Sequence, residues 1–296
     1  KLGGTLLLPP AAGKHPAILF LQGSGPEGRW ANRWLAQKFA EAGFVALIFD
    51  KRGVGQSTGD WQKADFDVLA SDAVAGVRFL QTQPEVDPKL IGIYGHSQGG
   101  TIAPLVADKA RDLAFVIASA AGGLPPAEVE RYSVENSIGV PTLPADQQIA
   151  AKAYVDALIG VAYRGDDRAK LDALAEADKS QSWYFDAPPP DNFYWAMSRQ
   201  IASFDPSRAW RKVKAPVLLV YGLKDERVPP KQSARAIEKA LHAGHNEKVM
   251  TRFFPQADHT FTLVNPAKTG GWPQHQPDYA SLLVNWSRQQ VRTPAP

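Results

Sequence analysis

The strongest chemical signal in the sequence is Gly95-His96-Ser97-Gln98-Gly99, which lies between an apolar run and a helix-like stretch. This G-x-S-x-G pattern is typical of a sharp strand–turn–helix elbow that exposes a nucleophilic serine. Side chains two residues before and after the serine would clash at such a turn, so glycine is needed there. The Ser97 hydroxyl would then stand at a helix N-terminus, where free N–H groups and the helix dipole favour developing negative charge.

A serine hydroxyl is a poor nucleophile unless a base takes its proton and a carboxylate holds that base. The sequence supplies Asp225 just after the apolar run "PVLLVYG" and His259 after the last such run, "KVMTRFF". The chain order Ser97, Asp225, His259 differs from the orders of chymotrypsin and of subtilisin. Glu226 and Asp258 are alternative acids, because both also lie near strand ends.

The remaining histidines are weaker candidates for chemistry. His242 and His245 have a spacing that a metal pair could use, but they end a helix, where the dipole favours histidine. His15 and His275 lie in Pro-rich loops, and His96 lies inside the elbow, where we expect it to point away from Ser97. The sequence therefore predicts no metal site.

A competing pattern is Gly23-Ser24-Gly25-Pro26-Glu27-Gly28, which matches the G-x-G-x-x-G dinucleotide fingerprint letter for letter. Asp50 ends the next apolar run, where a ribose-binding carboxylate would fall. Against this interpretation, Pro26 stiffens the loop, and Arg29 and Trp30 directly follow the last glycine, which should pack closely on a strand. An NAD(P)-dependent oxidoreductase is therefore a remote alternative, and we expect Asp50 and Arg52 to hold a tight glycine loop instead.

Short apolar runs alternate with longer amphipathic stretches, which predicts βαβ units and a mostly parallel sheet. The apolar positions of the longer stretches recur at three- and four-residue spacing, as in helices. The first two strands are joined by a Pro/Gly loop and are expected to form an antiparallel entry to the sheet. Strands are predicted at 4–9, 16–22, 44–50, 90–96, 114–120, 216–222 and 248–254, and helices at 30–41, 65–82, 98–110, 231–242 and 278–291.

Residues 124–208 break this alternation, because they contain helical patches but no convincing strand. We interpret them as an inserted helical cap, with residues 1–123 and 209–296 forming the catalytic core. Aromatic residues are dense in the cap stretch "SWYFDAPPPDNFYW". They can form a packed core or, since ligand pockets are lined mainly by apolar and aromatic groups, a substrate wall. The expected substrate-binding residues are Trp183, Tyr184, Phe185, Tyr194 and Trp195.

Composition excludes several classes of function. The chain of 296 residues has no cysteine, which rules out disulfides, thiolate catalysis and cysteine-held metal clusters. Its 33 basic and 30 acidic residues give a net charge of +3, too balanced to indicate a nucleic-acid partner. No apolar run approaches the roughly 20 residues that span a bilayer. The chain starts at Lys1, so we expect a missing N-terminal segment, which leaves the compartment open between cytoplasm and periplasm or secretion. The oligomeric state is also open.

Over nearly its whole length the chain resembles serine hydrolases of the α/β-hydrolase fold. It is most similar to bacterial carboxylesterases whose catalytic domain resembles that of prolyl oligopeptidase-type and serine aminopeptidase-type hydrolases. The motifs "GSGPEGR", "DKRGVGQSTGDW", "YGHSQGG", "YGLKDERVPP" and "DHTF" occur in the order of that family. The resemblance implies an eight-stranded sheet, a helical cap and no cofactor. It also implies a second oxyanion donor in the loop at 22–25, where Gln22-Gly23 replaces the usual His-Gly.

We therefore expect a carboxylesterase acting on short-to-medium acyl or aryl esters. Ser97 would be the nucleophile, His259 the base and Asp225 the acid, with the backbone N–H groups of Gln98 and Ser24 receiving the oxyanion.

Two alternatives remain within this fold. A serine peptidase or aminopeptidase would need carboxylates to hold a substrate ammonium, and Glu128, Glu130 and Glu135 of the cap are available. A non-catalytic binding protein would not explain why Ser97, Asp225 and His259 occur together, although the fold alone does not exclude such a protein.

Overall fold

One mixed sheet carries the fold in this computed structural model, which describes residues 1–262 and 274–292. Its strands are β1 (Gly4–Leu7), β2 (His15–Leu21), β3 (Val45–Phe49), β4 (Val86–His96), β5 (Phe115–Ser119), β6 (Val217–Gly222) and β7 (Val249–Phe254). They lie in the order β1-β3-β2-β4-β5-β6-β7. β1 pairs antiparallel with β3, and all the other pairs are parallel.

The number of strands corrects one expectation. The described sheet has seven strands, where the family resemblance implied eight. The seven apolar runs identified in the sequence account for all of them, each within a few residues of its predicted bounds. The first strand does enter antiparallel, and it lies against β3 at the edge of the sheet.

Helices cover both faces of the sheet and fill the segment between β5 and β6. A short 3-10 turn, Arg29–Asn32, precedes the first helix, and a single π-helical turn, Gly160–Arg164, extends the fifth. Among the described residues, no helix is both long enough and apolar enough to cross a membrane. The helices are α1 (Arg33–Glu41), α2 (Phe66–Gln81), α3 (Gln98–Ala110), α4 (Pro126–Ser137), α5 (Ala145–Ile159), α6 (Arg168–Asp178), α7 (Phe193–Ile201), α8 (Pro206–Trp210), α9 (Pro230–Ala243) and α10 (Tyr279–Val291).

The two faces of the sheet bury alternate residues of each strand, as the two-residue period of a strand requires. On β2, Leu19 and Leu21 pack toward α2, α3 and α9, whereas Ile18 and Phe20 pack toward α1 and α10. Both sets are almost completely buried. Because both faces are covered, the strands read as continuous apolar runs, which is typical of parallel sheets.

The helices α4 to α7 lie between β5 and β6 in the chain and share an apolar cluster of their own. Tyr154 and Leu171 are completely buried in that cluster, which is separate from the two clusters that flank the sheet. These helices are the segment interpreted as a cap from the sequence, and its limits at residues 124 and 208 remain a prediction.

Candidate active site

Ser97 stands at the carboxyl end of β4, on the turn that leads directly into α3. Its backbone has φ 53° and ψ −116°, a left-handed conformation that side chains rarely adopt. A Cβ atom added to Gly95 would lie 2.3 Å from the carbonyl carbon of Gly99, and one added to Gly99 would lie 2.8 Å from the Gln22 oxygen. The turn is therefore possible only with glycine on both sides of the serine, as expected from the motif.

The sheet brings Ser97, His259 and Asp225 into one hydrogen-bonded line. His259 Nε2 lies 3.0 Å from Ser97 Oγ, and His259 Nδ1 lies 2.8 Å from Asp225 Oδ2. The Asp225 side chain is completely buried, and the His259 side chain is 12% exposed. All three residues follow the carboxyl ends of parallel strands, which meet at one edge of the sheet.

The loop after β6 holds Asp225 in a fixed orientation. Its second oxygen, Oδ1, accepts hydrogen bonds from the backbone N–H groups of Arg227 and Val228, at 2.8 and 2.9 Å. Glu226 is exposed, and Asp258 uses Oδ1 to accept hydrogen bonds within its own turn. Of the three carboxylates considered from the sequence, Asp225 is therefore the one that contacts His259.

This arrangement also selects a tautomer of His259. A carboxylate can only accept a hydrogen bond, so Asp225 Oδ2 requires the proton to be on Nδ1. The lone pair of Nε2 then faces the Ser97 hydroxyl, which is the orientation a general base needs. The geometry can thus take a proton from Ser97 and stabilise the imidazolium that results.

His96 occupies a position that the sequence analysis missed. Its ring does not point away from the site, because its centroid lies 5.0 Å from that of His259. Burial, and secondarily the proximity of His259, lowers the pKa of His96 to about 3. His96 is therefore neutral near pH 7 and places no like charge beside His259 when that ring becomes protonated. In the sequence, this position was indicated by the histidine inside the elbow motif.

The two expected oxyanion donors lie on different elements. Gln98 is the first residue of α3, so its N–H is among those that a helix leaves without an internal partner. Ser24 lies in the exposed loop after β2. The N–H of Gly23 already donates to Glu27 Oε2 at 2.7 Å, which leaves the next N–H, that of Ser24, as the candidate donor of this loop. Their roles in catalysis remain predictions.

Gln22 anchors this loop to the neighbouring strand. Its side chain is buried, and its Nε2 donates a hydrogen bond to the carbonyl oxygen of Phe49 at the end of β3. The residue that stands where the family has histidine therefore has a loop-holding contact of its own.

Lys51 is a buried cation beneath the same loop and was not among the site residues predicted from the sequence. Its ammonium donates hydrogen bonds to the carbonyl oxygens of Gly23 and Gly25, the latter at 2.9 Å, and to Gln98 Oε1 at 3.1 Å. Burial lowers the pKa of Lys51 to about 8, and Glu27 partly offsets that effect. A lysine directly after an apolar strand was the signal in the sequence.

The contacts of Asp50 argue against a dinucleotide site. Asp50 is buried and accepts hydrogen bonds from the Arg29 guanidinium, with Oδ2 at 2.6 Å from Nη2, and from the Arg29 backbone N–H. The Arg29 guanidinium holds the pKa of this carboxyl well below its usual range. Both carboxylate oxygens of Asp50 are thus engaged inside the protein. Arg52 is paired with Asp72 at 2.7 Å, so Asp50 and Arg52 both stabilise this part of the fold, as expected.

The aromatic residues of the inserted segment pack largely against one another. Trp183 and Trp195 are only 3% and 6% exposed, inside the apolar cluster of the segment. Tyr184 and Phe185 pack around Tyr154 with ring centroids 5.5 Å away. Trp183 and Trp195 therefore belong to the core of the inserted segment, whereas Tyr184 and Phe185 are half-buried against it, and the substrate-binding role of these residues stays a prediction. Tyr194 donates to Glu130 Oε1 at 3.1 Å.

Three of the other histidines have structural partners. His242 lies 3.5 Å from Glu247, and His275 stacks on Trp34 with centroids 4.2 Å apart. His15 contacts the Ala11 carbonyl oxygen at 3.0 Å. Within residues 1–262 and 274–292, no three His, Cys, Asp or Glu side chains group together as a metal site would require.

Comparison with known proteins identifies a matching family. A family model described as X-Pro dipeptidyl-peptidase (S15 family) matches residues 1–260. Among curated relatives, the thiohydrolase aneE of Aspergillus aculeatus is 36% identical over 104 residues, which are 35% of this chain and 32% of that protein. The match therefore spans about a third of the length of that relative.

Solved structures match nearly the whole chain at low sequence identity. Est1E from Butyrivibrio proteoclasticus with bound ferulic acid has a TM-score of 0.61 and 18% identity, and covers 98% of this chain and 93% of its own. Proline iminopeptidase from Mycobacterium smegmatis has a TM-score of 0.61 and 16% identity, and covers 97% and 94%. The α/β-hydrolase fold expected from the motifs is confirmed.

Proposed function

The chain belongs to the peptidase S15 family, described as X-Pro dipeptidyl-peptidase, and on that premise we propose that this serine hydrolase cleaves carboxylic esters through an acyl-enzyme on Ser97. The observation that carries the proposal is the line of contacts from Ser97 Oγ through His259 to Asp225, at 3.0 and 2.8 Å. Est1E, which has the same fold, binds ferulic acid, a carboxylic acid of the type that cleavage of an ester would release.

The first half of the reaction forms the acyl-enzyme. Ser97 Oγ attacks the ester carbonyl carbon while His259 Nε2 takes the hydroxyl proton, and Asp225 stabilises the imidazolium. The backbone N–H groups of Gln98 and Ser24 receive the negative charge that develops on the carbonyl oxygen, at about 3 kcal/mol for each donor. His259 then returns its proton to the departing alcohol.

The second half releases the acid. A water molecule takes the place of the alcohol, His259 removes its proton, and the resulting hydroxide attacks the acyl carbon. Ser97 leaves with the proton that His259 holds, and the site returns to its starting state. A neutral His96 beside His259 helps both halves, since a second cation there would oppose the imidazolium.

Esters are favoured as substrates because an alcohol is a better leaving group than an amine. A site with a base and oxyanion donors can therefore cleave an ester without holding the remainder of the substrate as tightly as a peptide bond requires. In peptide cleavage, binding energy from parts of the substrate remote from the scissile bond normally supplies the additional stabilisation. We expect acyl chains of short to medium length and aryl alcohols.

The test is a side-by-side assay on p-nitrophenyl esters of two to eight acyl carbons, with Ser97→Ala as the inactive variant. We expect loss of at least about 1000-fold in kcat for Ser97→Ala. Ser71→Ala, which removes an exposed hydroxyl on α2 that donates to the Asp67 carbonyl oxygen, is the matched control and should retain full activity. Ester turnover that survives in Ser97→Ala would disprove the proposal.

A proline-specific peptidase is the second candidate, and Glu130 is the observation that favours it. Glu130 lies on α4, the helix whose Tyr132 hydroxyl contacts the backbone of Asp225. Burial raises the pKa of Glu130, whereas the Tyr194 hydroxyl and Arg227 lower it. A partly buried carboxylate beside the loop that carries Asp225 is the type of group that would hold a substrate ammonium.

An assay on X-Pro and aminoacyl p-nitroanilides separates the two candidates. The peptidase predicts faster anilide than ester cleavage, and a rise of KM of at least about tenfold in Glu130→Gln for substrates with a free ammonium only. The esterase predicts the reverse order of rates and no difference between free and N-acylated substrates. Glu135→Gln, on the same helix, is the matched control.

A further inference from the structure

The Lys51 ammonium donates hydrogen bonds to three acceptors. They lie on the loop after β2 and on α3, the two elements that carry the expected oxyanion donors. The acceptors are the carbonyl oxygens of Gly23 and Gly25 and the side-chain oxygen of Gln98. An ammonium group has three donors and no acceptor, so this set satisfies it completely. The side chain is 3% exposed, which makes the contacts costly to form unless each of them is kept.

The geometry of the peptide group connects Lys51 to the Ser24 N–H. The carbonyl of Gly23 and the N–H of Ser24 belong to one planar peptide unit, and in the trans form they point in opposite directions. The structure contains no cis peptide bond in its described residues. A cation that fixes the Gly23 oxygen therefore also fixes the Ser24 N–H, which points away from Lys51.

The same contact strengthens the donor as well as orienting it. Hydrogen bonds in a chain polarise one another, so an ammonium at the Gly23 oxygen makes the Ser24 N–H more acidic. Lys51 also donates to the Gly25 carbonyl oxygen, which belongs to the Gly25–Pro26 peptide, so the loop is held before Ser24 and again after Gly25. Gly25 itself has φ 81°, which gives the chain its turn at this point.

The third contact reaches the other donor. Gln98 contributes its backbone N–H to the expected oxyanion site and its side-chain oxygen to Lys51. One side chain thus joins the loop after β2 to the first residue of α3. The two donors come from elements that are distant in the sequence, and their spacing must be held to a few tenths of an ångström for an oxyanion to contact both.

We propose that Lys51 is a positioning residue of the oxyanion site, which holds the Ser24 and Gln98 N–H groups at a fixed spacing and polarises the first of them. This inference rests on the proposed function, because it assigns Lys51 to the step in which negative charge develops on the substrate oxygen. Its contribution belongs to the transition state, so Lys51 affects kcat far more than KM.

The first experiment compares Lys51→Met with wild type in kcat, in KM and in affinity for phenylboronic acid, which forms a tetrahedral adduct with an active-site serine. We expect kcat to fall about 10- to 100-fold, KM to change less than about twofold, and boronate affinity to fall in parallel with kcat. Lys214→Met is the matched control, since Lys214 donates to the Gly244 carbonyl oxygen away from the site and its loss should leave all three values unchanged.

The absence of native cysteine allows a second experiment that does not depend on the folding of Lys51→Met. Lys51→Cys is unfolded, alkylated with 2-bromoethylamine at its single thiol, and refolded, which restores an ammonium at the length of lysine. Wild type carried through the same procedure gives the reference. We expect kcat to recover at least about tenfold relative to unmodified Lys51→Cys, whereas recovery of folding without recovery of kcat would contradict the proposal.

The outcomes separate this inference from the proposed function. Loss of activity in Ser97→Ala together with wild-type kcat in folded Lys51→Met would overturn the role of Lys51 alone. Ester turnover that does not depend on Ser97 would overturn the proposed function and this inference with it. A fall in kcat accompanied by an equal rise in KM would show a general loss of site structure, which also contradicts a transition-state role.

Discussion

The Tyr132 hydroxyl donates a hydrogen bond of 2.9 Å to the backbone carbonyl oxygen of Asp225. Tyr132 lies on α4, in the inserted segment, and Asp225 follows β6 in the sheet. The contact therefore joins the inserted helices to the loop that carries Asp225, the residue that orients His259. Movement of α4 would reach the hydrogen-bonded line through this bond.

Tyr132→Phe removes that bond without removing the ring. A hydrogen bond of this kind contributes about 0.5–1.5 kcal/mol, so we expect kcat/KM on p-nitrophenyl esters to fall about 2- to 10-fold. Tyr154→Phe is the control, because the Tyr154 hydroxyl also donates to a backbone oxygen, that of Phe185, but within the inserted segment. Equal effects of the two substitutions on kcat/KM would contradict a specific link to Asp225.

Gly95→Ala should abolish both the elbow and the reactivity of Ser97. The new Cβ would lie 2.3 Å from the backbone of Gly99, and no flexible side chain is there to move aside. We expect the free energy of unfolding to fall by about 3 kcal/mol or more, as for other backbone clashes in a core. Chemical denaturation and the rate of labelling of Ser97 by a fluorophosphonate measure the two effects. A wild-type labelling rate would show that the turn tolerates a side chain.

The buried ammonium of Lys51 predicts an alkaline limb in the pH profile of kcat. Its pKa is lowered to about 8, and the protonated form is the one with three donors, so activity is retained below pH 8 and lost as the pH rises above it. The negative charge of Glu27 favours the charged form of Lys51. Asp72 borders the same small cavity as Lys51 but is paired with Arg52. Lys51→Met should lack this limb, as seen in profiles from pH 6 to 10. The same limb in both proteins would assign it to another group.

Asp50→Asn should destabilise the fold more than it affects chemistry. Removing Asp50 from its part-buried pair with Arg29 weakens charge-assisted hydrogen bonds, which contribute about 1.5–3 kcal/mol. The pKa of Asp50 is lowered in the folded state, so its stabilisation is complete above the ordinary pKa of aspartate and is lost as the pH falls below it.

Urea denaturation at pH 7 and at pH 3 tests this, and the difference between the variant and wild type should shrink at pH 3. Asp156→Asn is the control, because that carboxylate is 45% exposed in its pair with Arg131 and its loss should cost less than about 1 kcal/mol. A similar cost for both variants would contradict a special role of the Asp50 pair.

His96 predicts a loss of stability in mild acid. Its folded pKa of about 3 lies below the unfolded value near 6.5, so between these values the unfolded chain binds a proton that the folded chain does not. The free energy of unfolding should therefore fall as the pH drops from 6.5 toward 3. His96→Phe keeps a ring beside His259 and should make this fall less steep, as measured by urea denaturation at several pH values. An unchanged slope would show that His96 is protonated in the folded state.

The sequence was sufficient where the physical constraint is local. The elbow around Ser97 depends on clashes between residues two positions apart, so the glycine spacing already predicts it. Strands buried on both faces appear as apolar runs, and the seven described strands lie near their predicted bounds, as do α1, α2, α3, α9 and α10. Asp225 and His259 were identified for a related reason, since the ends of parallel strands meet at one edge of the sheet.

Tertiary structure decided the features that depend on which elements lie side by side. The choice of Asp225 over Glu226 and Asp258 follows from the orientation of two loops, and the burial of Trp183 and Trp195 follows from packing within the inserted segment. The contacts of Lys51 join residues up to 47 positions apart. A buried ammonium is stable only where several acceptors converge, and no property of the residue itself reveals that convergence before the chain folds.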